Sequence, residues 1–433
     1  MLEFIKRPLY RLLRWSEKYT KTDMVHLFSA NVWLNFARFF ALGSGMILTI
    51  AFTNLLSPEQ FGTYKYVIAA AGFIGTFSLN GLSMAAMRAV AQGKWNVIPA
   101  IVRTGMLWSL PGSIGALAAS AYYFGHANSE LGFAFLFIGI TNSVGIGIGS
   151  LKSVWQAAGE YRVGTLSGIP KIFVPFIIIF LTILITKNVV WILFAYFFSN
   201  LILSLGGYYF MLWWFNIKGS PQDVAETIRY GKQMTVLGFF QIASGQIDQL
   251  LLFHFVGPAQ LAVYALALSP VEEAQNLLNN FLTVFFRKIA NKTKQEVHKT
   301  LPLRLRQMFI ASIALTITYI ALIPFLFTYV FPKYEASILV SQVLSLTILL
   351  LPKGVIDTYF LSHAEVGRRS RVILISQVIE FALFFVLIPP FGLWGAVAAT
   401  LASEVVVAVF YLITYRKMRE EYARDHLRAD TNT

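Results

Sequence analysis

The chain has 433 residues, 57% apolar and 13% charged, against roughly 45–50% and about 25% in soluble domains. With a mean hydropathy of +0.63, this excludes a soluble enzyme and a disordered protein, and the lack of cysteine excludes disulfides, thiolate metal sites and cysteine nucleophiles. The net charge of +14 fits the basic cytoplasmic loops of a membrane protein, so no nucleic-acid partner is expected.

Residues 1–28 read as a cytoplasmic amphipathic segment. Leu2, Ile5, Leu9 and Leu12 share one helical face, with Lys6, Arg7, Arg11 and Arg14 mostly elsewhere. That pattern suits a helix lying in the membrane interface, and an unstructured basic tail is the alternative. The stretch is too basic for a cleavable signal peptide. Six apolar runs follow at 29–52, 62–84, 100–124, 131–151, 164–186 and 189–214. After a cytoplasmic linker at 217–232 come six more, at 233–256, 259–285, 308–331, 337–361, 371–389 and 392–415, then a basic tail at 416–433. Each is near the roughly 20 residues that cross a bilayer. Runs this apolar must be helical, because lipid offers no partner to an unpaired backbone group. The expectation is an all-α polytopic membrane protein with twelve transmembrane helices in two six-helix lobes, 29–216 and 233–415. Gly145, Gly147 and Gly149 are expected to serve close helix packing. Trp33, Trp155, Trp191, Trp213, Trp214 and Trp394 fall near span ends as an aromatic belt does. Trp108 does not, and is expected to be buried between helices.

With the N-terminus inside, 29 of the 35 Lys and Arg fall in inner segments, while the outer loops hold only Lys187 and Lys333. This positive-inside bias puts both termini in the cytoplasm. The chain also repeats at an offset of 200 residues. Phe39, Phe40, Ser44, Gly45, Ile47, Pro58, Gln60 and Tyr64 fall on Phe239, Phe240, Ser244, Gly245, Ile247, Pro258, Gln260 and Tyr264. Two six-span halves entering the membrane alike are parallel repeats, and substrate normally sits between them.

Catalytic signatures are missing. The expected outer loops are a few residues long, there is no phosphate-binding G-x-x-x-x-G-K-[ST] loop, and His26, His126, His254, His298, His363 and His426 lack metal-ligand spacing. No enzyme, cofactor or metal site is expected; the chemistry is movement.

Charges inside spans are the functional candidates, since each costs about 2.5–3.5 kcal/mol at the bilayer centre. Arg38 stands about nine residues, or roughly 14 Å, into the first span. Lys65 and Lys171 are shallower and can snorkel. The second half holds Asp248, Glu272, Glu273, Asp357, Glu380 and Glu404, with Lys353. Lys353 and Asp357, four residues apart on one helical face, are expected to neutralise each other. First-half spans thus hold three cations and no carboxylate; second-half spans hold six carboxylates and one cation. This suggests a divided cavity. Arg38, Lys65, Lys171 and Lys353 are the candidate ligands of an anionic head group. Asp248, Glu272, Asp357, Glu380 and Glu404 are the candidates for binding H⁺ or Na⁺. Adjacent Glu272 and Glu273 cannot both face one cavity. For each carboxylate the alternative is a buried hydrogen bond that holds helices together.

The stretch Leu55-Leu56-Ser57-Pro58-Glu59-Gln60-Phe61-Gly62-Thr63-Tyr64 resembles the turn after the first span in the polysaccharide transporter (O-antigen flippase) family. Gln246-Ile247-Asp248-Gln249-Leu250-Leu251-Leu252, with Gly257-Pro258 and Tyr264, resembles that family's seventh span and next turn. Phe331-Pro332-Lys333-Tyr334-Glu335 and Gly392-Leu393-Trp394-Gly395-Ala396, continuing to Ala399-Thr400, are similar to its later turns. The resemblance implies the MATE-like superfamily of multidrug exporters and lipid II flippases, two lobes in a V, and alternating access. It implies a substrate of undecaprenyl-pyrophosphate-linked oligosaccharide, moved from the inner to the outer leaflet of the bacterial cytoplasmic membrane. The implied partners are that lipid, the surrounding membrane lipids, and a polysaccharide polymerase with other assembly proteins; a monomer is expected. Twelve spans depart from the fourteen usual in lipid II flippases, and Ala262 stands where the second turn often has Gly. The coupling ion is not uniform in the family. A cation-coupled exporter of drugs or small solutes is the competing reading.

Overall fold

The computed structural model describes residues 24–151, 153–217, 224–289, 294–362 and 366–431, all as helices and their connections. The expected interfacial helix in the first 22 residues lies outside them. The helices are α1 Met24–Leu55, α2 Pro58–Gly75, α3 Leu82–Ala91, α4 Ile98–Gly125, α5 Ser129–Gly149, α6 Val154–Ala157, α7 Tyr161–Ile185 and α8 Val189–Trp214. They continue with α9 Val224–Phe255, α10 Pro258–Ile289, α11 Lys294–Val330, α12 Ala336–Leu344, α13 Lys353–Ser362 and α14 Val366–Thr431.

Every expected span falls on helix, but two are broken. The run 62–84 parts between α2 and α3. Thr76 turns its hydroxyl back onto Phe73 O at 2.6 Å, and the Gly81 N–H donates to the Thr235 hydroxyl at 3.0 Å. The run 337–361 bends by 42° between Ser337–Leu350 and Lys353–Ser362. Pro352 has no N–H to continue the ladder there, and the preceding Ser345–Leu350 is wound as a 3-10 helix. The last two runs lie on α14, which is two helices joined across Pro389-Pro390-Phe391-Gly392, with Gly392 at φ 56° and ψ −128°, a conformation that only glycine adopts without strain. Among the described residues, six helices are long and apolar enough to cross a membrane, or seven if the bent pair is one span.

The chain forms two units. The first holds the described residues up to Ala51 together with Phe77–Val236. Its core joins Leu82, Ala86, Ile98, Ile101, Ile148 and Val154, from α3 to α6. Gly147 lies against Val102 O and Met106 of α4, where a Cβ would come within 2.8 Å of the carbonyl, whereas Gly145 and Gly149 face open space. Beside this contact the Asn142 amide donates to Ser113 Oγ at 3.2 Å. Trp108 is not buried as expected: it is 48% exposed, and the Lys232 ammonium sits 4.7 Å from its ring centre, a cation–π contact.

The second unit holds Phe52–Thr76 and the chain from Leu237 onward. Helix α2 thus packs with the second unit although it lies in the first half of the sequence. Its core gathers Leu252, Leu261, Tyr264, Leu344, Ile356, Tyr359, Ile388 and Ala396. Tyr66 stacks on Phe253. The outer turn is explained by its own residues. Ser57 and Gln60 form a reciprocal capping box with Pro58 in the first turn, which closes the free N–H groups of α2. Lys333 donates to Asn54 O at 2.7 Å, and so caps the C-terminal carbonyls of α1.

Gly62 sits where α2 meets the start of α10, and a Cβ there would lie 1.8 Å from Pro258 O. Gly62→Ala is expected to cost about 1–3 kcal/mol by overpacking and to lower the detergent-solubilised melting temperature by several degrees. Gly43→Ala, with nothing within 4 Å of the added carbon, should not lower it.

Candidate functional site

The second-half charges gather inside the second unit. Asp248 of α9 is 7% exposed. Its Oδ1 accepts the Gln249 backbone N–H at 2.8 Å, and its Oδ2 accepts the Tyr264 hydroxyl of α10 at 3.0 Å. That hydroxyl also meets Thr400 Oγ1 of α14 at 3.2 Å. One carboxylate therefore ties three helices together through two hydroxyls. Ser244, one turn before Asp248, donates to Glu380 of α14, which feels both Asp248 and Glu404. Glu404 is ion-paired with Lys353 at the start of α13. Glu272 of α10 interacts with Lys65 of α2 and also with Asp248. The Lys65 ammonium lies 5.5 Å from the Phe61 ring centre.

Four carboxylates, those of Asp248, Glu272, Glu380 and Glu404, thus share one region with two ammonium groups. Fully ionised, the group would carry two surplus negative charges around one fully buried carboxylate, Asp248, with Glu380 and Glu404 half-buried and Glu272 exposed. Such an arrangement has a use for protons or cations. Among the described residues, no three His, Asp or Glu side chains converge as metal ligands.

Lys353 and Asp357 do not neutralise each other as their spacing suggested. Asp357 is instead held by Arg369, whose Nε and Nη2 donate to its two oxygens at 2.7 and 3.2 Å, and by the Tyr411 hydroxyl at 2.6 Å. The fork of a guanidinium matches a carboxylate better than an ammonium does, and so Lys353 is left to Glu404.

The candidate head-group cations divide between the units, Arg38 and Lys171 in the first, Lys65 and Lys353 in the second. Lys65 belongs to the second unit with Glu272. Arg38 is exposed on α1. Lys171 is exposed on α7, with its ammonium end lying over Gly207 of α8. Phe40 packs against Phe173, 5.2 Å between ring centres, so Arg38 and Lys171 each stand two residues before the contact that joins α1 to α7.

This chain matches the family model described as "Polysaccharide biosynthesis protein" over residues 31–291, well over half its length. It belongs to that family. Among curated proteins none matches its sequence. Solved structures share its fold. An outward-facing MATE family multidrug resistance transporter of the MOP superfamily aligns at TM-score 0.61 and 15% identity, over 90% of this chain and 96% of that one. The lipid II flippase MurJ, in an inward closed conformation, aligns at TM-score 0.68 and 11% identity, over 90% and 87%. A MOP superfamily transporter from Pyrococcus furiosus aligns at TM-score 0.55 and 14% identity, over 90% and 95%. This member of the polysaccharide biosynthesis family is therefore a multi-pass membrane protein that shares its fold with MATE transporters and with MurJ.

Sequence reasoning did not assign roles to Tyr264, Thr400, Ser244, Arg369 and Tyr411. Three of them carried a signal: Tyr264 and Ser244 lie in the 200-residue repeat, and Thr400 in a family-like turn. Arg369 falls between the expected spans 337–361 and 371–389, outside the apolar runs where charges draw attention. Nothing in the sequence marks Tyr411. Arg369→Met, which leaves Asp357 without its guanidinium, is expected to cost about 1–3 kcal/mol. Adding Asp357→Asn should recover part of the loss, read as melting temperature of the purified single and double variants.

Proposed function

We propose that the protein is a flippase that carries undecaprenyl-pyrophosphate-linked oligosaccharide units from the inner to the outer leaflet of the bacterial cytoplasmic membrane, for surface polysaccharide synthesis. In this reading the chain crosses the bilayer twelve times with both termini in the cytoplasm, acts as a monomer by alternating access without catalysing a reaction, and delivers its cargo to a polysaccharide polymerase. The observation that carries the reading is the family match, supported by the likeness of fold to a lipid II flippase. The family description favours a glycolipid over a drug as cargo.

Physics supports such a cargo. A pyrophosphate does not cross hydrocarbon unaided, and Arg or Lys partners give it charge-assisted hydrogen bonds. Arg38 and Lys171, exposed at one level of α1 and α7, are the proposed partners. The prenyl tail stays in lipid. An inside-negative potential contributes about 2.3 kcal/mol per charge per 100 mV toward outward movement of an anion. Protonation or cation binding in the Asp248–Glu380–Glu404 region would add to that drive.

The test is a proteoliposome assay with fluorescent undecaprenyl-pyrophosphate oligosaccharide, scored by accessibility to an added glycosidase. Arg38→Ala and Lys171→Ala should each lower the initial flipping rate about tenfold or more at unchanged protein level, and the pair should abolish it. Full activity in the double variant would remove both residues from the head-group site. Dye extrusion without lipid flipping would replace this reading with drug export.

A further inference from the structure

Charge arrangement within the second unit bears on which ion serves there. Lys353 is the first residue of α13, placed by the bend at Pro352. Its ammonium is paired with Glu404 and acts on Glu380 as well, and Glu380 interacts in turn with Glu404 and with Asp248. One turn away on its own helix is a second carboxylate, Asp357. That group is taken by the Arg369 fork and the Tyr411 hydroxyl, so Lys353 has no equal partner to move to. A positive charge at a helix N-terminus is also opposed by the helix dipole, and the Glu404 carboxylate offsets that opposition. Asp248, for its part, has both oxygens occupied by hydrogen-bond donors, the Gln249 N–H and the Tyr264 hydroxyl. A sodium ion needs several free oxygens turned toward one point, and these carboxylates are turned toward donors.

We infer that the Lys353 ammonium is a built-in monovalent cation of the Glu380–Glu404 site, one that keeps sodium out and leaves the proton as the only ion that this unit can exchange. The inference rests on the proposed ion coupling and makes it specific. Lys353 is then a selectivity residue rather than a ligand of the lipid head group. Removing its charge while leaving its length opens a place of monovalent-cation size beside two carboxylates, with the Ser244 hydroxyl at one of them.

The experiment uses the full chain purified in detergent and needs no lipid substrate, so its outcome is independent of what is flipped. Radioactive ²²Na⁺ binding and thermal unfolding are measured for wild type, Lys353→Met and Lys353→Arg, in NaCl against N-methylglucamine chloride at equal ionic strength. Wild type and Lys353→Arg are expected to bind no ²²Na⁺ and to melt alike in both salts. Lys353→Met should bind about one ²²Na⁺ per chain and melt roughly 2–4 °C higher in sodium once the ion exceeds its dissociation constant several-fold. Adding Glu404→Gln to Lys353→Met should abolish both effects. Sodium binding to wild type that Glu404→Gln removes overturns the inference, even if the methionine variant fails to fold. A folded Lys353→Met protein with no sodium response overturns it too. Absence of lipid flipping by the wild type in the proteoliposome assay, with the sodium results as expected, would instead tell against the proposed cargo and leave this inference standing.

Discussion

A carboxylate in a helix that faces hydrocarbon or protein must find a donor or a cation, because water is not there to supply one. That requirement organises the second unit. Asp248 draws α10 and α14 to α9 through Tyr264 and Thr400, Glu404 draws in α13 through Lys353, and Asp357 draws the start of α14 and Tyr411 to α13. Each link joins elements whose apolar contacts alone would allow sliding, since one greasy surface packs on another with little directional preference. The polar links set the register. The apolar core around Leu344, Ile356 and Ala396 then fills in around it.

The 200-residue repeat shows what is scaffold and what is function. Helices α2 and α10 begin at Pro58 and Pro258, at the same 200-residue offset. Capping and turn residues are shared between the copies, as Pro58 with Pro258 and Gln60 with Gln260 show. The charges are not shared. Leu48 stands where the second copy has Asp248, Gly72 where it has Glu272, and Lys65 where it has Ala265. Tyr64 stacks on Phe52, 4.4 Å between centres, whereas Tyr264 holds a carboxylate. One backbone plan therefore serves two chemistries, with the acidic groups inside the apolar runs confined to the later copy.

Much of this was legible in the sequence. The apolar runs located the helices, because hydropathy and the need for internal hydrogen bonding leave no other structure in lipid. The interruptions were less legible. The break at 76–81 depends on Thr235 and Gly231, which lie some 150 residues away and meet Gly81 only in the folded unit. Membership of the charged site was also readable, since any ionised group in a greasy run invites attention. Its pairings were not. The four-residue spacing of Lys353 and Asp357 states only that they share a helical face. It says nothing of Arg369 and Tyr411, which compete for Asp357 from other parts of the chain with better geometry.

The break nearest the charged site adds a last point. A continuous helix through 337–361 would satisfy its own backbone and present Lys353 at mid-span, where its ammonium would have Asp357 as the closest partner. The proline bend and the tight 3-10 turns before it instead make Lys353 the start of a new helix. There its charge is opposed by the dipole and its side chain is directed to Glu404. Such an arrangement is unfavourable locally and stable only through the pair. A group held in place by one partner is also a group that can be released when that partner takes a proton. The broken span and the Lys353–Glu404 pair thus form one device, in which backbone discontinuity supplies the placement and electrostatics supplies the hold.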